Sequence, residues 1–160
     1  MRFDRIIIVG TTGSGKTTLA QAIAQAWGLE HIELDNLQFA PNWETYPLEI
    51  FREKVADACQ HERWVMDGNY SNVRDLTWAR AQMIVWLDYP LWRVTMPRLF
   101  RRTVRRYLKR ERLWESQNVE RFWVHFYSKK DSLFWWAVST YDKKRKRYLS
   151  AMQEDRKSVV

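Results

Sequence analysis

The sequence is poor in the features that mark special classes of protein. Among 160 residues there is one cysteine, Cys59. A lone thiol cannot close an internal disulfide, which excludes a disulfide scaffold and points to a reducing compartment, the cytoplasm by default. No stretch approaches the ~20 consecutive apolar residues needed to cross a bilayer. The apolar run Ile6–Val9, set behind Asp4 and Arg5, is too short for a signal peptide. There is no internal repeat and no low-complexity linker. His31, His61 and His125 are scattered without metal-ligand spacing and read as structural. Cys59 falls on the apolar face of a predicted helix and reads as core.

What is present is a globular composition, 46% hydrophobic and 29% charged. The length fits one domain of about 100–200 residues. Aromatic residues make up 15%, with 10 tryptophans; part of them must fill the core, and part can stack on planar ligands. Charge is uneven along the chain. Residues 1–80 hold 8 Lys/Arg against 11 Asp/Glu, a net of −3, whereas residues 81–160 hold 19 against 8, a net of +11. Arg93–Arg112 carries nine basic residues against Glu111, and Lys143–Arg147 is an unbroken basic run. Such an excess suits an anionic partner, whether nucleotide phosphate, nucleic acid or a membrane surface; the plainer reading is a solvated helix face.

The periodicity predicts strands alternating with helices. Ile6–Val9 reads as a strand buried on both faces. Leu19, Ile23 and Ala26/Trp27 recur at helical spacing from Lys16 to the stop at Gly28. His31–Asp35 reads as a second strand and Asn36–Tyr46 as a loop. Pro47 opens a helix with Phe51, Val55 and Ala58/Cys59 on one face. Trp64–Met66 is a third strand ending at Asp67-Gly68, Ser71–Arg80 a short helix and Met83–Leu87 a fourth strand. Pro90 opens a long helix with Trp92, Met96, Leu99/Phe100, Thr103 and Tyr107 on one face, which Pro97 should kink or split. Ser132–Tyr148 reads as the last helix. This alternation implies βαβ units, hence an α/β protein with a parallel sheet covered on both faces.

Gly10-Thr11-Thr12-Gly13-Ser14-Gly15-Lys16-Thr17 matches G-x-x-x-x-G-K-[ST]. An apolar strand precedes it and an amphipathic helix follows, the order that a phosphate loop requires. A polyphosphate crowds negative charge onto closely spaced oxygens. Glycines let the backbone curl round it with N–H groups inward, and the following helix adds the positive end of its dipole. Gly10, Thr11, Thr12, Gly13, Ser14, Gly15, Lys16, Thr17 and Thr18 are therefore the candidate nucleotide-binding residues. Lys16 supplies a point charge for the β- and γ-phosphates. The Thr17 hydroxyl can ligate Mg²⁺. There is no GTPase base-reading N-K-x-D string, and 160 residues leave little room for the regions of a large ATPase.

In open α/β sheets, ligands bind beyond the carboxyl ends of the strands. Asp35 falls at the end of strand two, where it can accept a hydrogen bond from a substrate hydroxyl or act as its general base. Asp67, followed by Gly68 and Asn69, ends strand three and is placed like a Walker-B carboxylate, a second candidate ligand for Mg²⁺. The plainer reading of each is an Asp that caps the next turn, and for Asp88 that reading is favoured. Asn69, Arg74 and Arg80 are candidates for holding the acceptor, the arginines by clamping an anionic group.

These residues resemble the nucleoside-monophosphate-kinase-like group of P-loop proteins. Leu34-Asp35-Asn36-Leu37, Pro41-Asn42-Trp43, Asp67-Gly68-Asn69-Tyr70-Ser71, Arg74-Asp75-Leu76-Thr77-Trp78-Ala79-Arg80-Ala81 and Trp86-Leu87-Asp88-Tyr89-Pro90 are similar to small bacterial proteins described as adenylate-kinase-related or as DNA topology modulation proteins. The resemblance implies a three-layer α/β/α fold with core strand order 2-3-1-4 and phosphoryl transfer from ATP. It also implies a mobile lid over residues 91–128 whose arginines, matched here by Arg98, Arg101, Arg102, Arg105 and Arg106, close over the phosphates. Their three- and four-residue spacing puts Arg98, Arg101/Arg102 and Arg105 on one helix face. Two departures stand out. The Gly-Phe-Pro-Arg string of adenylate kinases is absent, so their AMP site is not carried over. Residues 156–160 read as no strand, whereas the adenylate-kinase-related group continues into one, so the expectation is either a sheet without that strand or a shortened chain.

The expectation is a single P-loop kinase-like domain over residues 1–160 that uses ATP and Mg²⁺. Lys16, Asp35, Asp67, Arg101, Arg102 and Arg105 are its candidate catalytic residues. The acceptor is an unidentified small molecule or nucleotide. The rival is a nucleic-acid-binding protein that uses nucleotide as a switch, suggested by the aromatic-interleaved basic half.

Overall fold

Six residues, Arg5–Gly10, form the central strand β1, and Ile6–Gly10 are all buried. A strand covered on both faces cannot alternate, which is why this run is continuously apolar. The computed structural model describes residues 2–109, 112–113, 118–119, 132–154 and 158–159. The expected lid residues 110–111, 114–117 and 120–128 lie outside these, and with them Trp114, Trp123 and His125.

The chain then runs through α1 (Lys16–Trp27), β2 (Glu30–Glu33), α2 (Leu34–Gln38), a 3₁₀ turn (Pro41–Trp43) and α3 (Leu48–Gln60). β3 (Trp64–Asp67), a second 3₁₀ turn (Ser71–Val73), α4 (Arg74–Arg80) and β4 (Met83–Leu87) follow. A π turn (Leu91–Thr95) leads into α5 (Met96–Lys109). Beyond it are the short antiparallel pair β5 (Arg112–Leu113) and β6 (Asn118–Val119), then α6 (Leu133–Glu154) and β7 (Ser158–Val159). The main sheet is parallel, in the order β2-β3-β1-β4-β7, which contains the expected 2-3-1-4 core.

The chain forms two compact units. One holds residues 1–10, 15–87 and 157–160; the other holds Thr11–Ser14 and Asp88–Arg156. In the first, Ile6, Ile8 and Val65 pack with Ala20 and Leu29 under the apolar stripe of α1. Ile7, Trp64, Met66 and Ile84 belong to the opposite pleat by strand alternation and are also buried. Phe51, Val55 and Cys59 form the buried stripe of α3. Arg52 on α3 holds Asp75 on α4 at 2.6 Å. In the second unit, Arg145 of α6 pairs with Asp88 at 2.8 Å and the Tyr141 hydroxyl donates to the Tyr89 carbonyl at 3.1 Å. Among the described residues no helix is long and apolar enough to cross a membrane.

Three expectations need correction. β2 stops at Glu33, and Asp35 lies in the first turn of α2. Leu34 is buried and the Phe39 N–H bonds the Asp35 carbonyl, so local helix replaces extended chain; an acid also suits the first turn. The sheet does have a fifth strand: Ser158 and Val159 pair with Met83 and Ile84. Two residues are too few to show a period in sequence. Finally, the long helix buries Leu91, Thr95, Leu99 and Thr103, while Trp92, Phe100 and Tyr107 are exposed. Pro97 has no N–H to donate, and the preceding turn widens so that the Val94 and Thr95 N–H groups both reach the Pro90 carbonyl. Leu99 and Thr103 are buried as expected; ahead of them the buried positions move back by one residue, from Trp92 and Met96 to Leu91 and Thr95.

Candidate active site

The phosphate loop is held at its base by a side chain. The Gly10 N–H donates to Asn69 Oδ1 at 3.0 Å, and Asn69 Nδ2 donates back to the Gly10 carbonyl. Asn69, expected to meet the acceptor, thus engages its amide with the loop. At the crest the Ser14 N–H closes a turn on the Thr11 carbonyl at 3.0 Å. Gly13 there has φ +83°, and a Cβ would come within 2.9 Å of Leu99 Cβ and 3.1 Å of the Thr95 carbonyl oxygen. Arg98 of α5 donates to the Ser14 carbonyl at 3.3 Å, with its guanidinium over the Tyr89 ring. Gly15 caps α1 with no side-chain hydrogen bond, and the first turn of α1 contains no acid. The positive end of that helix is left for an anion, as the motif requires.

Asp67 is placed by register. It pairs with Ile8 on one side and Glu33 on the other, so its side chain shares the α1-facing pleat with Ile6, Ile8 and Val65. That brings it to the start of α1, where the Thr17 hydroxyl donates to Asp67 Oδ2 at 2.7 Å. The other oxygen, Oδ1, lies 2.9 Å from His31 Nε2. Asp67 is only 5% exposed. Gly68 follows because a Cβ there would meet Leu34 Cβ at 2.8 Å.

Among the described residues no three His, Cys, Asp or Glu side chains gather into an all-protein metal cage. A hydroxyl beside a carboxylate is nonetheless the hard-oxygen pair with which Mg²⁺ is held, the rest of its shell being water and substrate phosphate. Thr17 and Asp67 therefore fit that ion.

Asp35 is exposed, and its Oδ1 accepts the Tyr70 hydroxyl at 2.6 Å. The Tyr70 ring rests edge-on against Phe51 with centroids 5.0 Å apart. Burial first, then the Asp35 charge and hydrogen bond, push the Tyr70 phenol well above its ordinary range. The next segment folds back on itself through a bridge between Phe39 and Thr45. At its tip Asn42 and Trp43 both adopt positive φ, 63° and 64°.

The Arg74 guanidinium lies over the Trp78 ring, 5.0 Å from its centre. Arg80 is exposed and counteracts, through its charge, the upward push of burial on the Cys59 thiol. Arg98, Arg101, Arg102 and Arg105 all lie on α5. The structure thus brings Thr17, Asp67 and His31 together, and separately Asp35 and Tyr70. His31, read from the sequence as structural, and Tyr70 were not among the candidate site residues, yet they bond the candidates Asp67 and Asp35. Tyr70 was visible in the Asp-Gly-Asn-Tyr string, but His31 is found only from the register of two strands.

Comparison with known proteins bears on this arrangement. The model of the NACHT domain family matches residues 4–47, the part that carries the phosphate loop. Shikimate kinases from Synechococcus elongatus and from a Synechococcus species are each 27% identical over 111 residues, which is 61% of this chain. The chain spans 56% of the length of these curated relatives. A solved shikimate kinase from Bacteroides thetaiotaomicron has a TM-score of 0.53 at 20% identity, covering 92% of this chain and 83% of that one. At that identity the likeness is one of fold, and the fold is the α/β architecture of P-loop kinases.

Proposed function

We propose that the protein is a P-loop phosphotransferase that moves the γ-phosphoryl group of ATP to a hydroxyl of a small molecule in the cytoplasm. The observation that carries this reading is the 2.7 Å bond from Thr17 to Asp67, which joins the end of the phosphate loop to the acid at the end of β3. That pairing is what a kinase needs to hold Mg²⁺ beside the phosphates. Bound there, Mg²⁺ supplies neutralising charge to the phosphates.

The chain's own residues do the rest. Gly10–Thr18 grips the phosphates, and Lys16 places a cation on the β- and γ-groups. Asp35, held from one side by Tyr70, takes the proton of the acceptor hydroxyl through its other oxygen. The acceptor oxygen then bonds to the γ-phosphorus as the bond to the β-phosphate oxygen breaks, releasing ADP. Arg101, Arg102 and Arg105 offset charge on the group in transit. Arg74, at the start of α4 just beyond β3, holds an anionic part of the acceptor; Arg80 does not, because its carbonyl accepts from Arg5 Nε at 2.8 Å, at the amino end of β1 and so at the opposite end of the sheet. Within P-loop kinases the motif strings favour the adenylate-kinase-related group. The names of the sequence relatives make shikimate the first acceptor to try, in a screen of alcohols with labelled ATP.

The decisive measurement is calorimetric ATP binding by wild type and Lys16→Ala. We expect affinity to fall at least tenfold in the variant, with transfer lost. Unchanged binding would sink the reading.

A further inference from the structure

We propose that His31 is a positioning residue for the Mg²⁺ site: it locks the Asp67 carboxylate in the rotation that keeps the Thr17 hydroxyl turned toward it. The inference rests on the phosphotransferase reading and deepens it. His31 lies on β2, the edge strand of the sheet, two residues before Glu33, the register partner of Asp67. Alternation therefore puts His31 on the α1-facing pleat with Asp67. The two side chains are 16% and 6% exposed, and Nε2 lies 2.9 Å from Oδ1. A carboxylate only accepts hydrogen bonds, so against Asp67 the ring donates from Nε2.

The terminal torsion of an aspartate is broad and roughly two-fold, so one hydrogen bond leaves the group free to roll. Asp67 has two donors from different elements, Thr17 from the head of α1 on Oδ2 and His31 from β2 on Oδ1. Together they fix the carboxylate plane. A fixed Oδ2 in turn fixes the Thr17 proton, which leaves the lone pairs of that hydroxyl directed away from Asp67 and available to a cation. His31 thus acts on the ion through Asp67 and Thr17 and touches neither ion nor substrate.

Two near-isosteric, neutral substitutions separate this from a role in folding. His31→Gln keeps an N–H donor at similar reach, whereas His31→Met keeps the bulk and has no donor. The readout is ADP affinity by calorimetry, with Mg²⁺ and again with EDTA. We expect Met to reduce the affinity gained from Mg²⁺ by about tenfold or more, as loss of a supporting hydrogen bond behind a metal ligand does. The affinity in EDTA should hold, and Gln should restore the gain. The inference is overturned if Met keeps the wild-type gain, if affinity in EDTA falls by the same factor, if Gln fails as fully as Met, or if Met does not fold. Wild type that binds ADP without any gain from Mg²⁺ would overturn the metal site itself, a result separable from all of these.

Discussion

Tyr70 shows how one residue ties the site to the solution. Its phenol is held above the ordinary 10.0 by burial and by Asp35, and burial likewise lifts the Cys59 thiol above its ordinary 9.0. The sign follows from which state binds protons. Above the ordinary values the unfolded chain releases these protons while the folded chain keeps them. Stability is therefore full below about pH 9 and falls as pH rises further. In denaturant titrations at a series of alkaline pH values we expect that decline in wild type and a shallower one in Tyr70→Phe. Equal slopes would show that the phenol is not held as described. Residue-level legibility was uneven for a physical reason. Lys16, Thr17 and Asp67 stand in a short contiguous motif or at the end of an apolar run. His31 gains its meaning only from β2 lying in register beside β3, and no local pattern carries that information.

Elements were legible where a period ran long enough to be read. β1, α3 and β3 each present a buried run or stripe, and α1 and β4 a half-buried apolar one, that the chain displays directly. α2 escaped because it is a single turn, and β7 because it is a two-residue ladder. The break expected from Pro97 is present, but it takes the form of a π turn over Leu91–Thr95, ahead of the proline itself. α3 illustrates the opposite case. Phe51 is fully buried and meets the Tyr70 ring that braces Asp35. Phe51→Ala is expected to cost about 3–5 kcal/mol, measured by urea denaturation. It should also weaken acceptor affinity more than ATP affinity, since α3 backs Tyr70 rather than the phosphate loop. A loss confined to ATP would contradict this placement.

At the scale of the whole molecule, a ligand that binds only the folded chain stabilises it by mass action. At about one hundred times its Kd the gain is roughly 2.7 kcal/mol, worth about 5–10 °C of Tm for a chain of this size. ATP with Mg²⁺ should give a shift of that order in wild type and, at the same concentration, about half of it or less in Lys16→Ala, read by a thermal melt. The parallel α/β plan was legible because strands alternate with helices along the sequence. Its division into two units was not, because Thr11–Ser14 join a body otherwise built from residues 88–156.

That membership has an evolutionary corollary. The wall facing Gly13 is made of Leu99 Cα and Cβ and the Thr95 carbonyl oxygen, atoms that nearly every amino acid shares. No trimming of the neighbour at 99 to alanine can carve out room for a methyl at 13. Compensating pairs at these positions should be missing from natural variation, and only a displacement of the whole α5 backbone would let position 13 drift.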